Sequence, residues 1–365
     1  MNGGSLVHEN LAQEIALKSA LVKSKKVSLA LQGGGSHGAF TWGVLDALLE
    51  DGRIDFDGTS GSSAGAMNAV LLGYGFAQHP NDPQAAREAA RGSLATFWRE
   101  IAKMGDASKL QRAFAQAWLA GLRVTGASLS PIQLNPMDLN PLRDLLVRSV
   151  DFKVLAQAAS PKLYVCATKV KTGKAEIFSG VRLNEAAVMA SACLPMLFPA
   201  VEIEGEQYWD GGFSGNPALH PLIYRCQASD IVVIQINPVE LNALPMTGSS
   251  ILDRVDELTF NASLLTQMRV IDLVNRFTER GYLPPERYRA VRLHRIDGGQ
   301  ALEAYPASSK SAVDGKLVES LFELGRNCGH IWLTKHFSDV GVKSSINISD
   351  DYLDDMRLGH PDDHD

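Results

Sequence analysis

The chain reads as an α/β protein with buried, parallel-type strands, and three stretches carry that reading. Residues 27–31, VSLAL, form a β-prone run that meets a glycine loop and then a helical pattern with Phe40, Val44, Leu45, Leu48 and Leu49 on one face. Residues 56–73, FDGTSGSSAGAMNAVLLG, repeat the arrangement as strand, tight turn and helix. Residues 231–236, IVVIQI, form a nearly continuous apolar run of the kind found in strands covered on both faces.

The other elements follow in order. Residues 1–26 read as a polar lead-in with an amphipathic pattern from Leu11 to Val22. After the first two units, residues 76–150 read as a helical insertion. It has a Pro/Asn/Asp-rich turn at 79–83, helices at about 85–104 and 109–122, the loop-like run GASLSPIQLNPMDLNP and a resumed helix at 142–147. Leu110, Phe114, Trp118 and Leu122 recur at spacings of four, the mark of a core stripe, with a lid over the turn at 61–65 as the alternative. Strands are expected at 162–169 and 175–178 about Lys171-Thr172-Gly173. A small-residue helix stops at Pro195, and 201–203 with 207–209 make a hairpin around Glu204-Gly205-Glu206. Ile251, Val255, Leu258, Ala262, Leu265, Met268, Ile271, Val274 and Phe277 give a long amphipathic helix expected to pack on the sheet, pairing with a second subunit being the alternative. A last strand at 290–296, an interrupted helix at 309–337 and an acidic tail from 349, expected to be disordered, complete the chain. With no internal repeat or linker, residues 27–348 are read as one domain.

Composition narrows the function. A net charge of −6 and the lack of a Lys/Arg stripe exclude a nucleic-acid binder and any general attraction to anionic membranes. The 4 cysteines are widely spaced, which fits neither a zinc site nor a disulfide framework and suits buried thiols in a reducing cytosol. His8, Glu9, Glu14 and Lys18 interrupt any secretory signal, and no uncharged apolar run is long enough to span a bilayer. The expected location is cytoplasmic, with any membrane contact peripheral.

Three loops carry candidate chemistry. Gly61-Ser62-Ser63-Ala64-Gly65 is a G-x-S-x-G string between strand and helix, the form of a nucleophile elbow, with Ser63 central and glycine at both flanking places. Gly33-Gly34-Gly35-Ser36-His37-Gly38 satisfies G-x-G-x-x-G, so a dinucleotide site must be weighed, with Asp51, Asp55 and Asp57 near the place of a ribose-binding acid. Against it, the second strand runs straight into another glycine elbow, and successive glycine N–H groups equally form a nest for an oxyanion. Asp210, delivered by the hairpin into Gly211-Gly212, is a candidate partner for the serine. The rival mechanism is a triad completed by a late histidine, His294, His330 or His336.

Taken in order, GGGSHG after a strand, GTSGSSAGA after the next, then ASACLP and DGG, the chain resembles the patatin-like phospholipase family over most of residues 27–238. The resemblance implies a three-layer α/β/α fold with a mostly parallel sheet, and a serine–aspartate dyad in place of a triad. Carried over, Ser63 is the nucleophile, Asp210 the base, and Gly33, Gly34 and Gly35 the oxyanion hole. The implied activity is hydrolysis of lipid acyl esters of the phospholipase A or lipid acyl hydrolase type, with neither cofactor nor metal. Smaller esters, or lipid binding without catalysis, are the alternatives. Many members have Arg or Lys where this chain has His37, so the loop's charge here depends on protonation. A dyad also asks an aspartate, ordinarily of pKa about 3.9, to act as base near neutrality, so burial must raise it.

Overall fold

The computed structural model describes residues 24–107, 140–157, 161–195, 197–311 and 314–353. The amphipathic pattern at 11–22, the stripe Leu110, Phe114, Trp118 and Leu122, and the tail beyond 353 lie outside the described residues.

Apolar β-prone segments at Lys25–Leu31 (β1), Ile54–Gly61 (β2) and Lys162–Lys169 (β3) give three strands, with Ala175–Phe178 (β4), Val201–Ile203 (β5) and Glu206–Asp210 (β6) following. Asp230–Gln235 (β7) and Arg292–Asp297 (β8) complete, among the described residues, an eight-stranded sheet of order β5-β6-β3-β2-β1-β7-β8, with β4 also paired to β3. The five strands from β3 to β8 along this order are parallel, β4 and β6 pair antiparallel with β3, and β5 pairs antiparallel with β6. The parallel strands carry period-2 burial on both faces. Val27, Leu29 and Leu31 face one core with Val232 and Ile234, while Ala30, Ile231 and Val233 face the other.

Helices cover both faces, giving three layers. The first core is closed by Gly38–Asp51 (α1), Ala64–Gln78 (α2), Pro83–Ala107 (α3), Pro141–Ser149 (α4), Glu185–Ser191 (α6, after the short Phe152–Ala156, α5) and, after β8 and Gly299–Glu303 (α9), Gly315–His336 (α10). α1 and α10 lie close enough that a Cβ at Gly325 would strike the Phe40 carbonyl, and Asp46 of α1 is bridged by Arg91 and Arg326. The second face is covered by His220–Arg225 (α7) and the long Gly248–Glu279 (α8). The small-residue helix expected to reach Pro195 ends at Ser191. Ser349–Leu353, assigned from sequence to a disordered tail, form a helical turn that buries Tyr352 against β7 through a 2.7 Å bond to Gln235.

The apolar stripe on α8 is not the face it buries in its first half. Glu257, Asn261, Leu264, Met268 and Ile271 are buried, whereas Ile251, Val255 and Leu258 are 48%, 51% and 50% exposed. The cause is local: this half crosses the polar ends of β1 and β7, where Asn261 bonds Gln32 and the Pro238 carbonyl, so the polar side of the helix turns inward. Among the described residues no helix is long and apolar enough to cross a membrane.

Candidate active site

In the sheet order the chain leaves β1 toward β2 on one side and returns to β7 on the other, so a crevice opens at the carboxyl ends of β1, β2 and β7. Leu31, Gly61 and Ile234 stand at one level there, and the glycine loop and the elbow both leave the sheet at that edge. Asp210 ends β6 opposite Ala167, two residues past Val165, which faces Gly61. The topology thus brings the three sequence-separated loops to one place.

Ser63 sits at φ 54°, ψ −123°, a left-side conformation that costs a non-glycine residue strain and projects its side chain from the bend. Packing on both sides holds it there. A Cβ at Gly61 would run into the Gly65 carbonyl, and one at Gly65 into the Leu31 carbonyl. The Ser63 N–H donates to Ser191, to Oγ at 3.0 Å and to the carbonyl at 3.2 Å. Just beyond, the Asp210 N–H donates to the Cys193 carbonyl at 2.8 Å. The ASACLP segment therefore anchors the backbones of both residues.

Asp210 is fully buried. Its Oδ1 accepts the Gly212 N–H at 2.7 Å, and Oδ2 has no hydrogen-bond partner among the described residues. Burial raises its pKa to about 7, against the smaller opposing pull of the Gly212 N–H and of the nearby Ser63 hydroxyl. Serine and carboxyl group are thus within mutual influence, with no hydrogen bond formed between them among the described residues.

Of the three glycines expected to supply oxyanion donors, Gly33 does not offer its amide, which is committed to Asn216 Oδ1 at 2.6 Å. Gly33 instead packs against the elbow, where its Cβ would come within 2.8 Å of Ser63 Cβ. The Gly34 and Gly35 amides donate to no other group among the described residues, and Gly35 adopts φ 56°. His37 is buried, with Nε2 2.8 Å from Ser309 Oγ. Burial, reinforced by the Lys310 charge, lowers its pKa to about 3, so the loop carries no cation of its own near neutral pH.

The rival readings lack their geometry. His294 is buried with Nε2 3.1 Å from Asp230, at the amino end of β7, while His336 pairs with Asp339 at 3.0 Å and His330 lies 3.6 Å from Glu50. The acids near a ribose position are engaged elsewhere: Asp51 with Arg53, Asp55 with Arg87, and Asp57 with the Ala228 N–H at 2.8 Å. Sequence reasoning missed Ser191, Gln32, Asn216, Asn237 and Lys310. The local signal for the amides was a polar residue beside glycine or proline, just after an apolar strand in the case of Gln32 and Asn237.

Residues 29–223 match the family model described as patatin-like phospholipase. A comparison with curated proteins found no match. Among solved structures, the crystal structure of VipD from Legionella pneumophila is similar over 92% of this chain and 74% of that one, at 13% identity and a TM-score of 0.38. Because the family match spans more than half of the 365 residues, the chain belongs to the patatin-like phospholipase family, which in general hydrolyses acyl esters of lipids.

Proposed function

We propose that this chain is a serine hydrolase cleaving carboxylic esters of lipids, of the phospholipase A or lipid acyl hydrolase type, through Ser63, Asp210 and the amides of Gly34 and Gly35. One observation carries the reading: a serine strained outward on its elbow stands beside a fully buried carboxyl group with a pKa of about 7 and one oxygen that has no partner among the described residues. A base of that pKa is matched to work near neutrality.

Ser63 Oγ attacks the ester carbonyl carbon while Asp210 Oδ2 takes its proton. The carbonyl oxygen becomes an oxyanion and receives the Gly34 and Gly35 N–H groups. Collapse breaks the bond to the alcohol, which leaves with the proton from Asp210. Water, deprotonated by Asp210, then attacks the acyl-serine, and the acid departs as Ser63 regains its proton. The apolar residues that α8 leaves exposed, Ile251, Leu252, Val255 and Leu258, are the surface we assign to peripheral contact with a lipid aggregate. The buried thiols of Cys166, Cys193 and Cys226 suit the proposed reducing, cytoplasmic setting.

The test is a panel of p-nitrophenyl esters of increasing chain length and defined phospholipids, with wild type and Ser63→Ala, alongside fluorophosphonate labelling. Wild type should be labelled and Ser63→Ala not, with turnover reduced on the order of 10,000-fold or more. Undiminished hydrolysis by a folded Ser63→Ala protein would overturn the proposal.

A further inference from the structure

The glycine loop is held by buried carboxamides that the mechanism above leaves unused. Gln32 Oε1 accepts the N–H groups of Ile236 and Asn237, each at 2.8 Å, and Gln32 Nε2 donates to Asn261 Oδ1 at 2.8 Å. Asn216 Nδ2 donates to the Gly33 carbonyl at 3.3 Å, beside the bond its Oδ1 makes to the Gly33 N–H. Asn237 Nδ2 donates to the same carbonyl at 2.9 Å. All four side chains are buried, so each bond is made out of competition with water.

Lys310 stands at the outer end of this set. Its Nζ donates to Asn237 Oδ1 at 2.6 Å, and its backbone carbonyl occupies the space that a Cβ at Gly35 would need. The preceding residue, Ser309, holds the neutral His37. A cation therefore does reach the glycine loop, from a segment more than 270 residues away in sequence.

The direction of these bonds has a chemical consequence. Nζ draws electron density from the carbonyl end of Asn237, which makes the amide end a stronger donor to the Gly33 oxygen. The Gly33 C=O and the Gly34 N–H are the two ends of a single peptide group, so polarising the oxygen strengthens the N–H. We propose that Lys310 is a positioning residue for ester hydrolysis, acting through Asn237 and the Gly33–Gly34 peptide to orient and polarise the Gly34 N–H that meets the oxyanion. The proposal rests on the assignment of Ser63 and the glycine loop given above.

Lys310 faces His37 from the glycine loop and Asp253, Asp256 and Glu257 from α8, and it shares with Arg254, Glu303 and Tyr305 the lining of a cavity of about 220 Å³. Burial lowers its pKa, and the three carboxylates oppose that shift. Its charge is therefore lost at a lower pH than that of an exposed lysine, which supplies an alkaline limb to the rate profile.

The experiment measures kcat and KM for p-nitrophenyl butyrate across pH 5–11 with wild type, Lys310→Met, Lys310→Arg, Asn237→Leu and the Lys310→Met/Asn237→Leu double variant, each checked for folding by thermal melting. A whole oxyanion donor is worth roughly 100 to 1,000-fold, and polarising one through two links should be worth a fraction of that, so Lys310→Met should lower kcat about 5 to 20-fold. KM should stay within about twofold, since the interaction is gained as the oxyanion forms. Asn237→Leu should lose a similar factor and the double variant no more, because both break one relay. Lys310→Arg should restore most of kcat and remove the alkaline limb, since the guanidinium stays charged.

If folded Lys310→Met keeps kcat within twofold of wild type, or the double variant shows the product of the two losses, the relay is refuted. Should Lys310→Met fail to fold, Lys310→Arg decides: an unchanged alkaline limb refutes it as well. Failure of the hydrolase reading shows differently, as full turnover by Ser63→Ala.

Discussion

Replacing Asp210 by asparagine should abolish turnover and, in the same protein, remove a pH-dependent loss of stability. Burial raises the Asp210 pKa from 3.8 to about 7. Between those values the folded protein holds a proton that the unfolded chain has released. Stability from this group is therefore fully present below pH 3.8, declines as pH rises and levels off above about 7. At 1.36 kcal/mol per pKa unit the whole span is roughly 4 kcal/mol, of which about 2.5 kcal/mol falls between pH 5 and pH 8. Asparagine keeps an oxygen for the Gly212 N–H, which Asp210 now binds at 2.7 Å, and never ionises. Leaving its amide without a partner costs about 1 to 3 kcal/mol, but that cost is the same at every pH. Urea unfolding followed by tryptophan fluorescence at pH 5, 6, 7 and 8 isolates the effect. The stability of Asp210→Asn relative to wild type should rise by about 2.5 kcal/mol across that range. Parallel curves for the two proteins would refute the buried ionisation, and with it the reason a lone aspartate can serve as base.

Three further outcomes test the site. Ser191→Ala removes the Oγ that accepts the Ser63 N–H but leaves the carbonyl bond, and should lower kcat about fivefold in steady-state kinetics, the worth of roughly one hydrogen bond, with KM unchanged. His37→Arg buries a second cation beside Lys310, and should destabilise the fold by at least about 2 kcal/mol in urea unfolding without raising turnover. His294→Ala should lower the melting temperature, because it strips a partner from buried Asp230, while ester hydrolysis stays within about twofold of wild type; a loss as deep as that of Ser63→Ala would revive the triad.

Much of the fold could be read locally. The strands at 162–169 and 175–178 stand on either side of the Lys-Thr-Gly turn as expected, and β1 and β2 each pass through glycine into helix. Ser63 was singled out because only a bend with tiny neighbours tolerates its backbone, and steric exclusion between residues two apart is a property of the sequence itself. The face that α8 buries was misread for the opposite reason: hydrophobic periodicity cannot know that the surface beneath it is a set of amides.

The amino-acid sequence alone therefore determined the strand–glycine–helix units, the strained serine and the acid placed ahead of two glycines, since each depends on sterics and propensity within a few residues. Only the tertiary structure decided that Asp210 is buried enough to titrate near 7, that Gly33 spends its amide on Asn216, and that a lysine at 310 rather than residue 37 brings charge to the loop. Those outcomes turn on desolvation and hydrogen bonding between segments far apart in the chain, whose energies exist only once the sheet has brought them together.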